Sequence, residues 1–259
     1  MNRLSLPEIE DSPRLPRWLR DAITGYLQVA ISVGKPYAVV TPLLAELLRG
    51  SADRSVVDLA SGGGGPWPEL MASLKATLGA HPSVTLTDIQ PNLRAAAAID
   101  ARPGLSYRRE PVSALNVPPE LGRVRTMFTG LHHFDEGEVL RIFRAAQDAK
   151  APFLAAEATH RSVPGLLITL LVPVLVLLFM PRVRPLRVLP LLLTYVPPLL
   201  PAMIWWDGVA STLKSYRADE LRALVSSIET PGYRWRVEEL AARGAPIPVT
   251  VVVGQPTDS

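Results

Sequence analysis

The chain has 259 residues, a formal net charge of only +3 and no cysteine. The absence of cysteine excludes disulfides, thiolate catalysis and zinc sites with cysteine ligands. The small net charge, without a basic run that contains interleaved aromatic residues, gives no reason to expect a nucleic-acid partner. We expect no secretory signal, because the first residues contain no apolar segment of signal-peptide length.

The first part of the chain, residues 14–49, predicts helices, because apolar residues recur there at three- and four-residue spacing. Gly34-Lys35-Pro36 is expected to divide this region into two helices. From Ser55 onwards, short apolar segments typical of strands alternate with segments typical of helices. The predicted strands are 55–60, 83–88, 104–110, 122–131, 151–158, 233–240 and 247–254, and the predicted helices between them are 68–79, 91–101 and 135–149.

This alternation of strands and helices predicts an α/β fold whose mostly parallel, seven-stranded sheet carries helices on both faces. The last two predicted strands follow each other directly, and we expect them to form an antiparallel edge. The sequence thus predicts N-terminal helices over 1–54, an α/β core over 55–160 and 207–259, and an apolar helical insert over 161–206.

The first predicted strand runs into four successive glycines, in the sequence VVDLASGGGG. Such a turn is needed where backbone must bend sharply or approach a ligand closely. It is not a P-loop, because no Lys-Ser or Lys-Thr follows the glycines. It is not the dinucleotide fingerprint either, because Trp67 or Pro68 stands where the last glycine should be. It fits the looser pattern acid-x-G-x-G-x-G, with Asp58 as the acid and Ala60 in place of the first glycine.

In this pattern the sequence resembles the class I S-adenosylmethionine-dependent methyltransferase family, most clearly over residues 56–157 and more weakly over the last 50. The resemblance implies a Rossmann-like methyltransferase fold and S-adenosyl-L-methionine as the cofactor. The acid at the end of the second strand, Asp88, would bind both ribose hydroxyls, because a carboxylate offers two acceptor oxygens. The residues implied to bind the cofactor are Asp58, Ala60, Ser61, Gly62, Gly64, Asp88, Ile89, Ser113 and Ala114.

Two of these assignments carry alternatives, and a third departs from the family's pattern. Asp58 either orders the glycine loop or only caps a turn, as aspartate often does. Asp88 either binds the ribose or caps the helix that follows Pro91. Ser113 stands where the family often has an aspartate that accepts a hydrogen bond from the adenine amine, and a hydroxyl accepts that bond less strongly than a carboxylate does.

The segment TGLHHFDEGEV after the fourth predicted strand lies, in the resembling family, near the transferred methyl group. A neutral histidine is a natural proton acceptor near pH 7, so we expect His133, and after it His132, to act as the general base. If the two lie on a strand end, they should point in opposite directions. Glu157, at the end of the fifth strand, would either be catalytic, as a base or a substrate contact, or pair with Arg161. No metal-ligand spacing follows the histidines, so no metal is expected.

The insert contains two long stretches without charge, Val163–Met180 and Val188–Trp206, joined by PRVRPLR. Each is long enough to span hydrocarbon as a helix, but prolines interrupt both of them. The basic link would also lie outside if the enzyme domain is cytoplasmic, against the positive-inside rule. We therefore expect a peripheral or monotopic protein on the cytoplasmic side of a membrane. A spanning hairpin, or a buried lid or dimer core in a cytoplasmic protein, is the alternative.

These patterns together predict a methyltransferase that acts on a hydrophobic small molecule or lipid by in-line transfer, and they leave both a monomer and a homodimer open. Two other functions remain open. One is a cyclase or isomerase of the same fold that uses the bound cofactor without methyl transfer. The other is a non-catalytic, membrane-associated binding protein with a degenerate pocket, for which Ala60 and Ser113 would be the support.

Overall fold

The computed structural model describes residues 1–51, 53–241 and 246–257. The helices are α1 (Arg17–Gly34), α2 (Thr41–Arg49), α3 (Trp67–Leu78), α4 (Leu93–Asp100), α5 (Glu136–Asp148), α6 (Val163–Thr169), α7 (Val172–Phe179), α8 (Val188–Tyr195), α9 (Leu199–Lys214) and α10 (Ala218–Ser226). The strands are β1 (Ser55–Leu59), β2 (Ser83–Leu86), β3 (Leu105–Tyr107), β4 (Val124–Phe128), β5 (Phe153–Glu157), β6 (Tyr233–Leu240) and β7 (Val249–Pro256). Short 3₁₀ turns lie at Pro36–Val40, Leu131–His133 and Met180–Arg182.

The seven strands form one sheet in the order β3-β2-β1-β4-β5-β7-β6. The first five pair in parallel, while β7 runs antiparallel to both β5 and β6. The prediction of a mostly parallel sheet with an antiparallel edge is therefore confirmed. Two buried layers, one on each face, fix this sheet between helices, with α3 and α4 contributing to one layer and α5 and α10 to the other.

The central strands are short apolar runs because both of their faces are covered. Every residue of β4 and of β5 is buried, and so are the last four residues of β1. Asp58, in β1, lies opposite Leu86 of β2 and Thr126 of β4, so the carboxyl ends of these strands meet along one edge. In open α/β sheets, this is the edge at which ligands bind.

The N-terminal region differs slightly from its prediction. Helix α1 begins at Arg17 rather than Arg14, and it ends where Lys35 takes a φ of +46°. The residues before α1 form no regular helix, but they lie against the carboxyl edge of the sheet and against α9. We call residues 1–16 the N-terminal segment.

The predicted insert is helical but broken. Its eight prolines divide it into α6, α7, α8 and the start of α9. The boundary predicted at residue 206 is wrong, because α9 continues through it to Lys214. By length and composition, Val163–Arg182 could cross a membrane. Two bent pairs could cross only if each counts as one span: Arg17–Gly34 with Pro36–Arg49, bent by 61°, and Val188–Tyr195 with Leu199–Lys214, bent by 79°.

Candidate functional site

The loop after β1 is a tight turn held by its own backbone. Ala60, Gly62 and Gly64 have φ values of +53°, +50° and +112°. Alanine in the left-handed region is strained, so Ala60 adopts the conformation that a glycine would adopt more easily. The Ser61 amide donates to the Thr87 carbonyl at 2.9 Å, which joins this loop to the end of β2.

Asp58 is buried beneath the glycine loop. Its carboxylate accepts hydrogen bonds from the hydroxyls of Ser61 and Thr126, each at 2.6 Å. Burial raises the pKa of Asp58 to about 6, although these two hydrogen bonds act in the opposite direction. Because one of its partners is in the loop and the other in β4, Asp58 fixes the loop to the sheet.

Asp88 lies at the end of β2 and contacts the same loop. One carboxylate oxygen accepts from the Gly62 amide at 2.8 Å, and the other accepts from the Gln90 amide at 2.8 Å. Burial raises the pKa of Asp88 above its ordinary value. The alternative that Asp88 caps the next helix is wrong, because Asn92 caps α4 by accepting from the amides of Arg94 and Ala95.

The residues predicted near an adenine lie beside Asp88. The Val112 amide donates to the Asp88 carbonyl at 2.9 Å, which brings the segment after β3 to the end of β2. Ser113 accepts from the Leu115 amide at 3.2 Å and so forms part of a turn, and Ala114 is buried. Ile89 leaves 60% of its surface exposed although it is large and apolar.

Gly64, which the sequence predicts to bind the cofactor, packs against the core on one side. Its amide donates to the Ser61 carbonyl at 2.8 Å, and a Cβ built on it would lie 2.7 Å from Cδ1 of Ile99 in the core. Its open side therefore faces the core. Gly63, by contrast, faces α1, since its Cβ would lie 2.7 Å from Cγ2 of Thr24. The Gln28 side chain also donates to the Gly65 carbonyl at 2.9 Å, so α1 lies directly on the loop.

His132 and Glu157 form a buried pair at the ends of β4 and β5. Nδ1 of His132 lies 2.8 Å from Oε2 of Glu157, and the Leu131 amide donates to the other carboxylate oxygen at 2.8 Å. Burial alone would raise the pKa of Glu157, but the charge and hydrogen bond of His132 and the Leu131 amide lower it below its ordinary value. An ionised Glu157 thus fixes the orientation of the His132 ring.

Two expectations about this cluster are wrong. The histidines do not lie on a strand end, because Leu131–His133 is a 3₁₀ turn, and their rings lie side by side with centroids 4.2 Å apart. Glu157 does not pair with Arg161, because that guanidinium forms its ion pair with Glu220.

His133 lies closer to the surface than His132 does. Its Nδ1 is 3.2 Å from a carboxylate oxygen of Asp11. Burial lowers the pKa of His133, but its hydrogen bond to the Asp11 carboxylate and the charges of Glu8 and Asp11 outweigh burial, so the pKa is raised overall. His133 therefore carries more positive charge near neutral pH than an isolated histidine does.

Sequence reasoning missed the N-terminal segment, whose acidic side chains reach the site. Oε1 of Glu8 lies 2.8 Å from Nζ of Lys214 and 3.7 Å from Nε2 of His132. Asp207 accepts from the amides of Ile9 and Glu10 at 2.6 and 3.1 Å, which holds this segment against α9. No local sequence signal could reveal these contacts, because the partners of each contact lie far apart in the sequence.

Glu8, His132 and His133 also place three metal-ligand atoms within 4.8 Å of one another. The donor set does not fit a metal well, because the Lys214 ammonium already occupies the Glu8 oxygen that would be the third ligand. We derive no metal chemistry from this cluster.

Thr129 is a second residue that sequence reasoning missed. It follows β4 directly and has a φ of +49°, which is rare for a β-branched residue. Its hydroxyl forms a hydrogen bond with the phenol of the buried Tyr37, at the carboxyl edge of the sheet. Strain of this kind is concentrated at functional sites.

No protein-family model matches the chain, and no curated protein matches it. Solved structures do. An O-methyltransferase from neocarzinostatin biosynthesis, in complex with S-adenosyl-L-homocysteine and 1,4-dihydroxy-2-naphthoic acid, matches 92% of this chain and 58% of its own length, with 17% identity and a TM-score of 0.53. The magnesium protoporphyrin IX methyltransferase of Synechocystis PCC 6803, with bound S-adenosyl-L-homocysteine, matches 93% of both chains, with 13% identity and a TM-score of 0.51.

The mitomycin 7-O-methyltransferase is also similar over 85% of this chain, with 17% identity and a TM-score of 0.47. The chain spans only 55% of that structure, about half its length. The strand order and the two matches with TM-scores above 0.5 establish the architecture. The chain has the fold of the class I S-adenosylmethionine-dependent methyltransferases.

Proposed function

We propose that this protein is an S-adenosylmethionine-dependent methyltransferase that acts on a hydrophobic small molecule or lipid. The observation that carries the proposal is the hydrogen bond from the Gly62 amide to Asp88. It joins a glycine loop after β1 to an acid after β2, at the edge of the sheet where such folds bind ligands. The S-adenosyl-L-homocysteine bound in the two similar structures with TM-scores above 0.5 supports the same function.

In this proposal, Asp88 binds the ribose. Each of its carboxylate oxygens already accepts one backbone hydrogen bond and has a further lone pair for a ribose hydroxyl. The loop from Ala60 to Gly62 lies along the methionine end of the cofactor. Exposed Ile89 packs on the adenine, and Ser113 lies at its amine. The cofactor supplies a methyl group that is activated by its positive sulfur.

We propose His132, rather than His133, as the general base. With Nδ1–H of His132 donating a hydrogen bond to the Glu157 carboxylate, Nε2 is the nitrogen that accepts a proton. The same arrangement stabilises the imidazolium that forms when the acceptor loses its proton. Nδ1 of His133 lies 3.2 Å from the exposed carboxylate of Asp11 and 4.0 Å from buried Glu8, both farther than the 2.8 Å between His132 and Glu157.

The position of Glu8 suggests where an acceptor oxygen would lie. The Glu8 carboxylate is 3.7 Å from Nε2 of His132 and bonds to Lys214. We infer that the N-terminal segment moves before a substrate reaches His132, and that the acceptor oxygen then takes the place of this carboxylate. Exclusion of water by the returning segment would assist in-line transfer.

We further propose that the protein works at the cytoplasmic side of a membrane, as a peripheral or monotopic protein. Large apolar side chains are exposed along α6, α7 and α8, which supports this placement. A hydrophobic substrate would then reach the site from the bilayer.

The proposal is tested by titrating S-adenosylmethionine into the protein, into an Asp88→Ala variant and into an Asp148→Ala control at an exposed position. Loss of hydrogen bonds to an ionised acceptor should weaken binding roughly ten- to a hundredfold in the first variant only. Equal affinity in all three proteins would remove Asp88 from the site.

The same experiment separates the other functions. A protein that does not bind the cofactor at all would be a non-catalytic membrane-binding protein. If the cofactor binds, the mass of the product distinguishes methyl transfer, which adds one carbon, from a cyclase or isomerase reaction that leaves the mass unchanged.

A further inference from the structure

The insert presents an apolar surface that has no protein partner in the described part of the chain. Sixteen of the 22 large exposed hydrophobic side chains lie within residues 163–206, which we call the apolar layer. Val174 on α7 and Val188 on α8 are 53% and 74% exposed. Monomeric soluble proteins rarely expose apolar patches of this extent.

The apolar layer lies along the domain rather than away from it. Its inner side packs on α1, where Val176 and Met180 are buried with Ile23, and Ile204 from the layer's own part of α9 completes this cluster. Both ends of the run Val163–Arg182 are held by the domain. Ser162 caps α6 at one end, beside His160, and at the other end Val183 lies against Gly25 of α1. Attachment to the domain at both ends favours a position in the plane of one leaflet over a crossing for this run.

The layer is basic as well as apolar. Residues 163–206 contain no aspartate or glutamate, and their only charged residues are Arg182, Arg184 and Arg187. Two aromatic side chains, Trp205 and Trp206, are more than one-third exposed at the end of the layer. Arginine with tryptophan is the combination that favours the headgroup region of a membrane with anionic lipids.

Two of these arginines line a small cavity together with Arg94 of α4. The cavity has a volume of about 40 Å³, and its walls come from α1, α4, α8 and the link between α7 and α8. Its charged lining consists of three arginines and one aspartate, Asp21. Trp18, Met180 and Leu191 form its apolar wall.

The arginines of this cavity have donors to spare. Nε of Arg94 pairs with Asp21 at 3.0 Å, which holds its side chain in place. One terminal nitrogen of Arg184 donates to the Pro181 carbonyl at 2.7 Å. Within residues 1–51, 53–241 and 246–257, the Arg187 guanidinium has no hydrogen bond or ion pair. Three arginines that line one cavity supply donors for a phosphate, whose oxygens accept several charge-assisted hydrogen bonds.

We propose that this cavity binds the phosphate of an anionic phospholipid headgroup while the apolar layer enters the acyl region of the same leaflet. The inference rests on the membrane placement proposed above and does not depend on methyl transfer. The occupant is a lipid rather than a free phosphate, because the cavity opens beside exposed apolar side chains such as Leu186, which is 55% exposed.

The test measures co-sedimentation of the full chain with vesicles of phosphatidylcholine alone and of phosphatidylcholine with phosphatidylglycerol. Arg182→Gln is the matched control for Arg187→Gln, because both variants remove one charge from the same link and only Arg187 lines the cavity. Removal of one arginine from an anionic surface should weaken binding about fivefold. We expect that loss for Arg182→Gln, and a loss of more than about tenfold for Arg187→Gln and for Arg184→Gln.

Two further arms identify the ligand. Vesicles whose negative charge comes from a fatty acid, at the same charge density, should bind the wild type more weakly than phosphatidylglycerol vesicles do. Val174→Glu should abolish binding to every vesicle, while Thr77→Glu on α3, with the same change in charge, should not. Cofactor titration and thermal melting of each variant show that it is folded.

Equal losses for all three arginine variants would mean that their charge acts only at long range, and would overturn the cavity proposal. Binding of the wild type to neutral and anionic vesicles alike would do the same. Displacement from anionic vesicles by inorganic phosphate at modest concentration would identify a free-anion site. If the protein binds no vesicles and forms a stable dimer without detergent, a second copy covers the apolar layer.

Discussion

The carboxyl edge of the sheet and the apolar layer meet their surroundings in opposite ways. At the sheet edge, Asp58, Asp88 and Glu157 each accept at least two hydrogen bonds from the protein. In the apolar layer, side chains such as Val188 and Val196 are about three-quarters exposed. The first region is therefore set before a ligand arrives, whereas the second gains its stabilising contacts only from something outside the chain.

Helix α1 touches both regions. Its residues Ile23 and Tyr26 pack into the apolar layer, while Thr24 and Gln28 contact the glycine loop. The N-terminal segment makes a similar link, because the Trp206 indole donates to the Pro7 carbonyl at 3.0 Å and Glu8 reaches His132. The apolar layer and the proposed cofactor site therefore share two structural elements, so each region is best tested with the other as its reference.

The largest expected effect concerns the two histidines at the carboxyl edge of the sheet. His132→Ala should lower the rate of methyl transfer by about 10²–10⁴-fold, because the general base is lost. His133→Ala is the matched control and should change the rate far less. Release of S-adenosylhomocysteine with an accepted hydrophobic substrate measures the rate. Cofactor affinity and vesicle binding should be unchanged in both variants. The opposite ranking of the two variants would assign the base to His133.

A smaller effect, on the free energy of unfolding, is expected from Gly64→Val in the glycine loop. A β-branched side chain at this φ is strained, and its Cβ would also meet Ile99. We expect a loss of about 1–3 kcal/mol in the free energy of unfolding from overpacking alone. Gly79→Val has the same sign of φ but no atom within 4 Å of its Cβ, so it measures the strain without the overpacking. Urea denaturation compares the two, and equal losses would contradict the core-facing role of Gly64.

The sheet and the glycine loop could be predicted from local sequence, because they depend on signals a few residues long. Apolar strand runs, the glycines after Asp58 and the acid at Asp88 are such signals, and the predicted strand 233–240 matches β6 residue for residue. What failed depends on distant partners. The Glu157–His132 pair, the Arg161–Glu220 pair and the Glu8 contact all join elements whose proximity arises only in the folded chain.

The apolar insert was predicted in composition but not in its geometry. Its prolines indicated broken helices, and the structure has them. The sequence could not show that α9 carries on past Trp206 into the domain, because the apolar run ends there although the helix does not. Hydrophobicity marks what meets lipid or core, and it does not mark where a helix stops.

The smallest expected effect is a pH dependence of stability from the N-terminal segment, which lies between the two regions. Burial raises the pKa of Glu10 to about 7, and the carboxylates of Asp207 and Glu8 act in the same direction, while Thr24 and His133 oppose it. Because the folded pKa lies above the ordinary value of 4.5, Glu10 contributes to stability below about pH 4.5, and this contribution is lost as the pH rises through about 7. Burial likewise raises the pKa of Asp207 to about 6, so its contribution is lost over a lower range.

The protein should therefore melt at a higher temperature at pH 6 than at pH 8. Glu10→Gln keeps the oxygen that accepts from Thr24 at 3.0 Å but carries no charge. We expect the variant to be more stable than the wild type at pH 8 by about 1 kcal/mol, or roughly 2–4 °C, and the two to converge at pH 5. Glu229→Gln, at an exposed position, should show no such difference. Calorimetric melting at the three pH values measures this. A variant that loses stability at pH 8 would mean that the ionised Glu10 carboxylate stabilises the N-terminal segment, contrary to the effect of its burial.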